Sequence, residues 1–352
     1  MTAPNASRAP ENKLLRALDA VTAERAEDAV LSVRGLTVRF RLRGGRTVDA
    51  VSDADFDLAA GECLALVGES GCGKSVLASA LLGLLPGNAE TSGTALLASP
   101  DGGDGKGPGG GAVDLLAADE KTLARTVRGR RVGLVPQSPA AHLTPVRTVR
   151  SHLEETVRAL TGTARRARRE AVRDAAERTA FPADHLDRYP HELSGGLAQR
   201  AATALALIGD ARLLLADEPT TGLDRDLVDR TVDELRRHAD DGRALLLITH
   251  DLAAAERIAD RVAVMYAGRI VEIAPAHRFF GPVGPRHPYA RGLLDALPDR
   301  AFAPVPGMPP ELTALPAGCA FAPRCPRATD LCATRPEPAA GVACHHPEHP
   351  RA

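Results

Sequence analysis

Gly68-Glu69-Ser70-Gly71-Cys72-Gly73-Lys74-Ser75 carries the spacing Gly-x4-Gly-Lys-Ser. Each residue type answers a need of phosphate binding. Gly68, Gly71 and Gly73 free the backbone to turn its N–H groups, those of Ser70 and Cys72 among them, inward around phosphate oxygens. Lys74 has the reach to meet β- and γ-phosphates, and the Ser75 hydroxyl is a ligand for Mg²⁺. A chance glycine-rich turn would have no reason to end in Lys and Ser, so the spacing predicts a nucleoside triphosphate site. Further on, Leu213-Leu214-Leu215-Ala216 runs into two carboxylates. Asp217 is placed to hold Mg²⁺ through its water shell, and Glu218 to orient or deprotonate an attacking water. Ser194-Gly195-Gly196 opens another helix-forming stretch, where a hydroxyl and two flexible N–H groups form a second anion site.

Four cysteines, Cys319, Cys325, Cys332 and Cys344, crowd the end of the chain, a distribution that favours metal over disulfide in a cytosolic enzyme. Their spacings do not match the paired Cys-x-x-Cys knuckles of a zinc ribbon. Four thiolates converging on a [4Fe–4S] cluster, a zinc ion with His345 and His346 as spare ligands, and free thiols in a loop all remain open.

These residues need elements to position them. The phosphate-loop motif follows the apolar run Cys63–Val67 and precedes a helix-forming stretch from Val76 to Leu85, the strand–loop–helix setting that the motif requires. From Val30 to Ala65 short β-rich runs alternate with turns, with Gly44-Gly45 as a hairpin tip. Ser151 to Thr179 reads as charged helix, and its patch Arg165, Arg166, Arg168 and Arg169 is interspersed with acids, the pattern of a solvated face. Beyond Ala211 the order is strand, helix, strand, helix, strand, over Leu213–Ala216, Arg225–Ala239, Ala244–Thr249, Leu252–Ile258 and Arg261–Tyr266. Such alternation predicts a parallel sheet with ligand chemistry at the carboxyl ends of its strands.

Leu193-Ser194-Gly195-Gly196-Leu197-Ala198-Gln199-Arg200 resembles the signature sequence of the ATP-binding-cassette (ABC) ATPases, which simple phosphate-loop enzymes lack. The resemblance implies an α/β fold: a parallel-sheet core, an antiparallel β subdomain, an α-helical signature subdomain and a small irregular cysteine-containing extension. It also implies that Ser194, Gly195 and Gly196 act on ATP held by a second ABC ATPase subunit, a paralogue or another copy of this chain. Matched residue by residue, Gln137 resembles the glutamine that reaches Mg²⁺ and the attacking water, and His250 the histidine that contacts the γ-phosphate. Asp224 lies where the family places its dimer-crossing loop, and Phe40 is the candidate to stack on adenine.

Within the family, Arg188-Tyr189-Pro190-His191-Glu192, His142-Leu143-Thr144-Pro145, His287-Pro288-Tyr289 and the tail Gly318 to Pro326 resemble the oligopeptide/dipeptide and nickel importer ATPases. That resemblance implies peptide import, two permease subunits, an extracellular substrate-binding protein, a peripheral place on the cytoplasmic face of the cell membrane, and a [4Fe–4S] cluster on the four cysteines. An exporter ATPase, a metal-chelate importer and a non-transport ABC ATPase are the alternatives. Leu197-Ala198 departs from the Met-Arg often found in the signature, and His142 and Thr144 from Ser and Asn.

Composition limits the rest. Lys plus Arg (44) balances Asp plus Glu (45), which disfavours a protein that lives on nucleic acid by bulk charge. With no Trp and 3% aromatics, the core must be built from Ala, Leu and Val. No apolar run approaches the length of a membrane span, and Met1 to Ala29 lacks the apolar centre of a signal peptide. The expected organisation is a leader over residues 1–28 and a nucleotide-binding domain over 29–275. The latter includes a helical subdomain at about 138–205 and a Gly-rich insertion at 100–111, and a separate, irregular extension covers 276–352.

Overall fold

The computed structural model describes residues 29–99, 111–209 and 211–348, so the leader and all of the Gly-rich tract but Gly111 lie outside the described residues. At the amino-terminal end β1 (Ala29–Arg41) turns through Gly44 and Gly45, at φ 81° and 76°, into β2 (Thr47–Ala59), its antiparallel partner. Leu31, Val33, Leu36 and Val38 on β1 are fully buried, as a half-buried strand with one apolar face requires.

β3 (Cys63–Val67) is buried at all five positions, the mark of a strand covered on both faces. Through the phosphate loop it feeds α1 (Lys74–Leu81). The helix starts two residues earlier than the apolar pattern predicts, because Gly73 caps it and the Lys-Ser pair forms its first turn. It stops short of Leu85 where Gly83 takes a positive φ of 61°. β4 (Ala89–Leu97) and β5 (Val113–Asp114) complete a four-stranded antiparallel sheet of order β2-β1-β4-β5. β4 escapes an apolar-pattern reading, since only Ala95 and Leu97 are buried.

After β6 (Val132–Val135), the helices α2 (Val149–Leu160), α3 (Arg168–Arg178) and α4 (Gly195–Ile208) gather around a hydrophobic cluster of their own, with Leu153, Val157, Val172 and Ala201 at its centre. β7 (Leu213–Asp217), α5 (Arg225–Asp240), β8 (Ala244–Thr249), α6 (Leu252–Ile258) and β9 (Arg261–Tyr266) then alternate as the sequence predicts. They form a six-stranded sheet of order β10-β9-β3-β8-β7-β6, parallel except for its edge strand β10 (Arg269–Pro275).

The segment after Pro275 does not pack as a separate unit. It forms α7 (Pro288–Asp295), and Tyr289, Leu294 and Phe321 share one hydrophobic cluster with Val262, Val264 and Tyr266 of β9. Three aromatic rings lock this junction, Tyr266 to Tyr289 at 4.4 Å and Tyr266 to Phe321 at 5.3 Å between centroids. The Tyr266–Phe321 pair is edge-to-face, a contact that adds to simple area burial. The extension is thus sealed to the parallel sheet beside the carboxyl end of β9.

Candidate active site

The carboxyl ends of three neighbouring strands, β3, β7 and β8, bring the predicted groups together. β3 delivers the phosphate loop, in which Gly68 and Gly73 stand at φ 154° and 109°. Both are also pressed against backbone: a Cβ on Gly68 would lie 2.2 Å from the Met265 carbonyl oxygen, and one on Gly73 would lie 2.2 Å from that of Ala50. Glycine is required here by space as well as by torsion. The loop is further tied to the β9–β10 turn, where the Gly268 N–H donates to the Cys72 carbonyl at 2.9 Å. Lys74 is almost wholly buried, and its ammonium donates to the carbonyls of Gly68 (2.7 Å) and Glu69 (3.1 Å), spanning the loop's mouth from within.

β7 ends in Asp217 and Glu218. The Ser75 hydroxyl donates to Asp217 Oδ1 at 3.1 Å, placing one hydroxyl and one carboxylate side by side. These are the hard oxygen donors Mg²⁺ prefers, so the residues present fit the ion. Burial pushes the Asp217 carboxyl above its ordinary range; the neighbouring Glu218 adds to this, while the bond from Ser75 and the charge of Lys74 oppose it. Glu218 adopts a left-handed backbone at φ 50°, a conformation that non-glycine residues hold only under constraint. Its N–H donates to the Ile248 carbonyl of β8 at 2.8 Å, and its Oε2 lies 2.7 Å from His250 Nδ1 just past the end of β8. Glu218 is largely buried whereas the His250 side chain is 63% exposed, so the imidazole covers the carboxylate from the solvent side.

Other predicted residues stand apart from this cluster. Ser194 caps α4, its Oγ accepting the Leu197 N–H at 3.3 Å, which leaves the hydroxyl proton free to donate. Ser194 and Gly195 are exposed, and a Cβ on Gly196 would meet Leu223 at 3.3 Å, so the signature abuts the Thr221–Asp224 loop. Asp224 spends its carboxylate as the cap of α5, accepting from Leu227 N–H at 3.1 Å. Gln137 is exposed just beyond β6. Phe40 is half-buried, set between Val48 and Ala89 of the flanking strands and packed on the main core. In the helical layer, His152 clasps the segment His142–Pro145: its Nε2 accepts the Thr144 N–H at 2.9 Å while its Nδ1 meets the Thr148 carbonyl at 2.9 Å.

The cysteine tail lends the metal expectation no support. Cys319, Cys325 and Cys344 are half-buried and Cys332 buried, all as free thiols. The Cys344 thiol feels the charges of the other three, and it is pushed up to about 11 chiefly by burial. Yet among the described residues no three or more His, Cys, Asp or Glu side chains are arranged to hold a metal ion. The four thiols share a neighbourhood without ligand geometry, so neither the iron–sulfur cluster nor zinc is supported.

Sequence reasoning missed Tyr289 and Arg324, both of which bind Glu69 inside the phosphate loop. The only signal was that both lie in short motifs with no assigned task.

Comparison with known proteins follows this geometry. Residues 51–221 match the family model described as ABC transporter, and residues 271–332 the one described as the C-terminal region of oligopeptide/dipeptide transporters. The chain is 41% identical over 333 residues to a putative peptide import ATP-binding protein of Brucella ovis, covering 90% of this chain and 95% of that protein. It is 38% identical over 317 residues to the dipeptide transport ATP-binding protein of Bacillus subtilis, covering 87% and 89%. A solved ATP-binding cassette, dimeric in a post-hydrolysis state with ADP and Pi, matches with a TM-score of 0.60 at 21% identity over 70% of this chain and 98% of that one. At that identity the likeness shows the fold alone.

Proposed function

The chain belongs to the ABC transporter family, and from that premise we propose that it is the ATP-hydrolysing subunit of an importer of di- or oligopeptides. Support for the cargo class comes from the names of its relatives and from the oligopeptide-type C-terminal match. One observation carries the catalytic reading: Ser75–Asp217 and Glu218–His250 form two contacting pairs at the ends of adjacent strands, beside the loop that holds Lys74.

In this reading Glu218 takes the proton of the attacking water, and His250 holds the Glu218 carboxylate and meets the γ-phosphate. Lys74 exchanges its loop carbonyls for phosphate oxygens when ATP enters. Ser75 and Asp217, with Gln137, would hold Mg²⁺, which when bound neutralises charge on the β- and γ-phosphate oxygens. Phe40 packs against adenine. The exposed Ser194 and Gly195 and the half-buried Gly196, with Asp224 beside them, serve ATP on a second ABC subunit, so two chains complete two sites. The helical layer, with its clasped His142–Pro145 segment, meets two permease subunits fed by a substrate-binding protein. No helix among the described residues is long and apolar enough to cross a membrane, which is compatible with a peripheral place on the cytoplasmic face of the membrane.

Replacing Glu218 by Gln keeps the shape and removes the base. ATP binding should persist while turnover falls by roughly 10²–10⁴-fold, as loss of a general base predicts. The assay is steady-state ATPase alongside peptide uptake by the complex reconstituted in vesicles, with a panel of metal chelates as the contrasting cargo. Turnover within tenfold of wild type removes Glu218 from its role. The cluster on Cys319, Cys325, Cys332 and Cys344 is decided by iron and sulfide analysis of anaerobically prepared protein: cluster stoichiometry upholds it, and a colourless, metal-free preparation removes it.

A further inference from the structure

Glu69 occupies a variable position of the phosphate loop, and the chemistry above gives it no task. It is nevertheless gripped from two directions by the C-terminal region. Its backbone N–H donates to the Tyr289 hydroxyl at 2.9 Å. Its carboxylate takes both terminal nitrogens of Arg324, Nη1 to Oε2 at 2.7 Å and Nη2 to Oε1 at 3.0 Å. This two-pronged fork fixes direction as well as distance.

Arg324 is itself immobilised. Its Nε donates to the Pro306 carbonyl at 2.7 Å and its Nη1 to the Tyr266 hydroxyl at 3.3 Å, and the guanidinium lies 5.7 Å from the Tyr266 ring centre. Its side chain is 4% exposed. Tyr289 is fully buried against Tyr266. Both grips therefore start from the sealed junction between β9 and the extension. What they hold matters to the site, because the Glu69 carbonyl is one of the two oxygens on which the Lys74 ammonium rests.

We propose that Arg324 and Tyr289 are positioning residues of the phosphate loop, by which the C-terminal region keeps the loop in the shape that receives the triphosphate. The inference rests on the nucleotide-site reading of that loop. Both residues act through Glu69. A loop released from these grips must be ordered at the expense of binding. The Glu218–His250 pair sits on other strands and stays intact. Loss of the grip therefore weakens ATP binding and spares the chemical step, and ATP affinity answers to the segment that also carries Cys319 and Cys325, on either side of Arg324.

The test uses the full-length chain in steady-state ATPase and in direct titration with a fluorescent ATP analogue. Arg324→Ala and Glu69→Gln are each expected to raise KM for ATP about tenfold with kcat within about twofold, the loss of one charged hydrogen-bonded contact expressed only in binding. The double variant should be no worse than either single, and Arg324→Lys should recover part of the loss. A purely structural role would lower Tm and leave KM unmoved. Should Arg324→Ala fail to fold, Glu69→Gln on the partly exposed loop keeps the question open to measurement. Unchanged KM in the variants that fold, or additive losses in the double variant, overturns the proposal. A wild-type chain with no ATP affinity would instead overturn the reading of the site itself.

Discussion

Lowering the pH from 7 to 5 is expected to cost the wild-type fold about 2 kcal/mol through His287 alone. The residue is 1% exposed, and burial pushes its imidazole from the ordinary 6.5 down to about 4. Above pH 6.5 it is neutral in the folded and unfolded chains alike, and the fold keeps its full stability. Below that, the unfolded chain takes up a proton that the folded chain refuses, so stability falls as pH drops from 6.5 towards 4. At pH 5 the unfolded imidazole is nearly all charged and the folded one nearly all neutral, which yields the figure above at about 1.4 kcal/mol per tenfold ratio. Glu272, whose carboxylate accepts the Arg286 and His287 N–H groups, is pushed the other way by burial and so works with the opposite sign. A paired comparison isolates the imidazole. His287 Nδ1 accepts the Tyr289 N–H as the cap of α7, and asparagine caps equally well. Urea unfolding of wild type and His287→Asn at the two pH values should show the variant losing about 2 kcal/mol less than wild type. Equal losses in the two proteins would refute the argument.

Two more predictions follow from packing and thiol chemistry. Gly73→Ala would set a Cβ 2.2 Å from the Ala50 carbonyl oxygen at φ 109°, where neither backbone can yield. It should lose about 2–5 kcal/mol in urea unfolding together with ATP binding, and a variant as stable as wild type would show that the approach is not tight. In metal-free protein the Cys344 thiol, pushed up to about 11, should react with a thiol reagent at pH 8 more than about tenfold slower than free cysteine, and faster as pH rises. A rate independent of pH would contradict its burial.

The legible part of this molecule is the part in which chemistry and spacing coincide locally. The phosphate loop, the strand ending in Asp217-Glu218 and the Ser194 cap each declare themselves within a few residues, because one turn of chain must both shape the backbone and supply the group. β4 was hidden for the opposite reason: most of its residues are exposed, only Ala95 and Leu97 are buried, and it carries no apolar period to read. The extension reads as irregular because its buried residues, Tyr289, Leu294 and Phe321, are scattered among Pro, Gly and Arg, and become a face only when β9 meets them. For the cysteines, spacing showed the crowding and was silent on ligand geometry, which depends on where four separate turns point their sulfurs.

Most of all, the contacts that hold the phosphate loop are non-local. The Ser52 N–H donates to the Gly268 carbonyl, the Gly268 N–H to the Cys72 carbonyl, and Arg324 reaches Glu69 across 255 residues of sequence. The antiparallel sheet, the β9–β10 turn and the extension thus converge on a loop of eight residues. A motif specifies which atoms a loop offers to a phosphate, whereas readiness to bind depends on how little the loop must be rearranged. In this chain that second property is distributed over three distant segments. Its affinity for ATP should therefore be adjustable from places where no residue can touch the nucleotide.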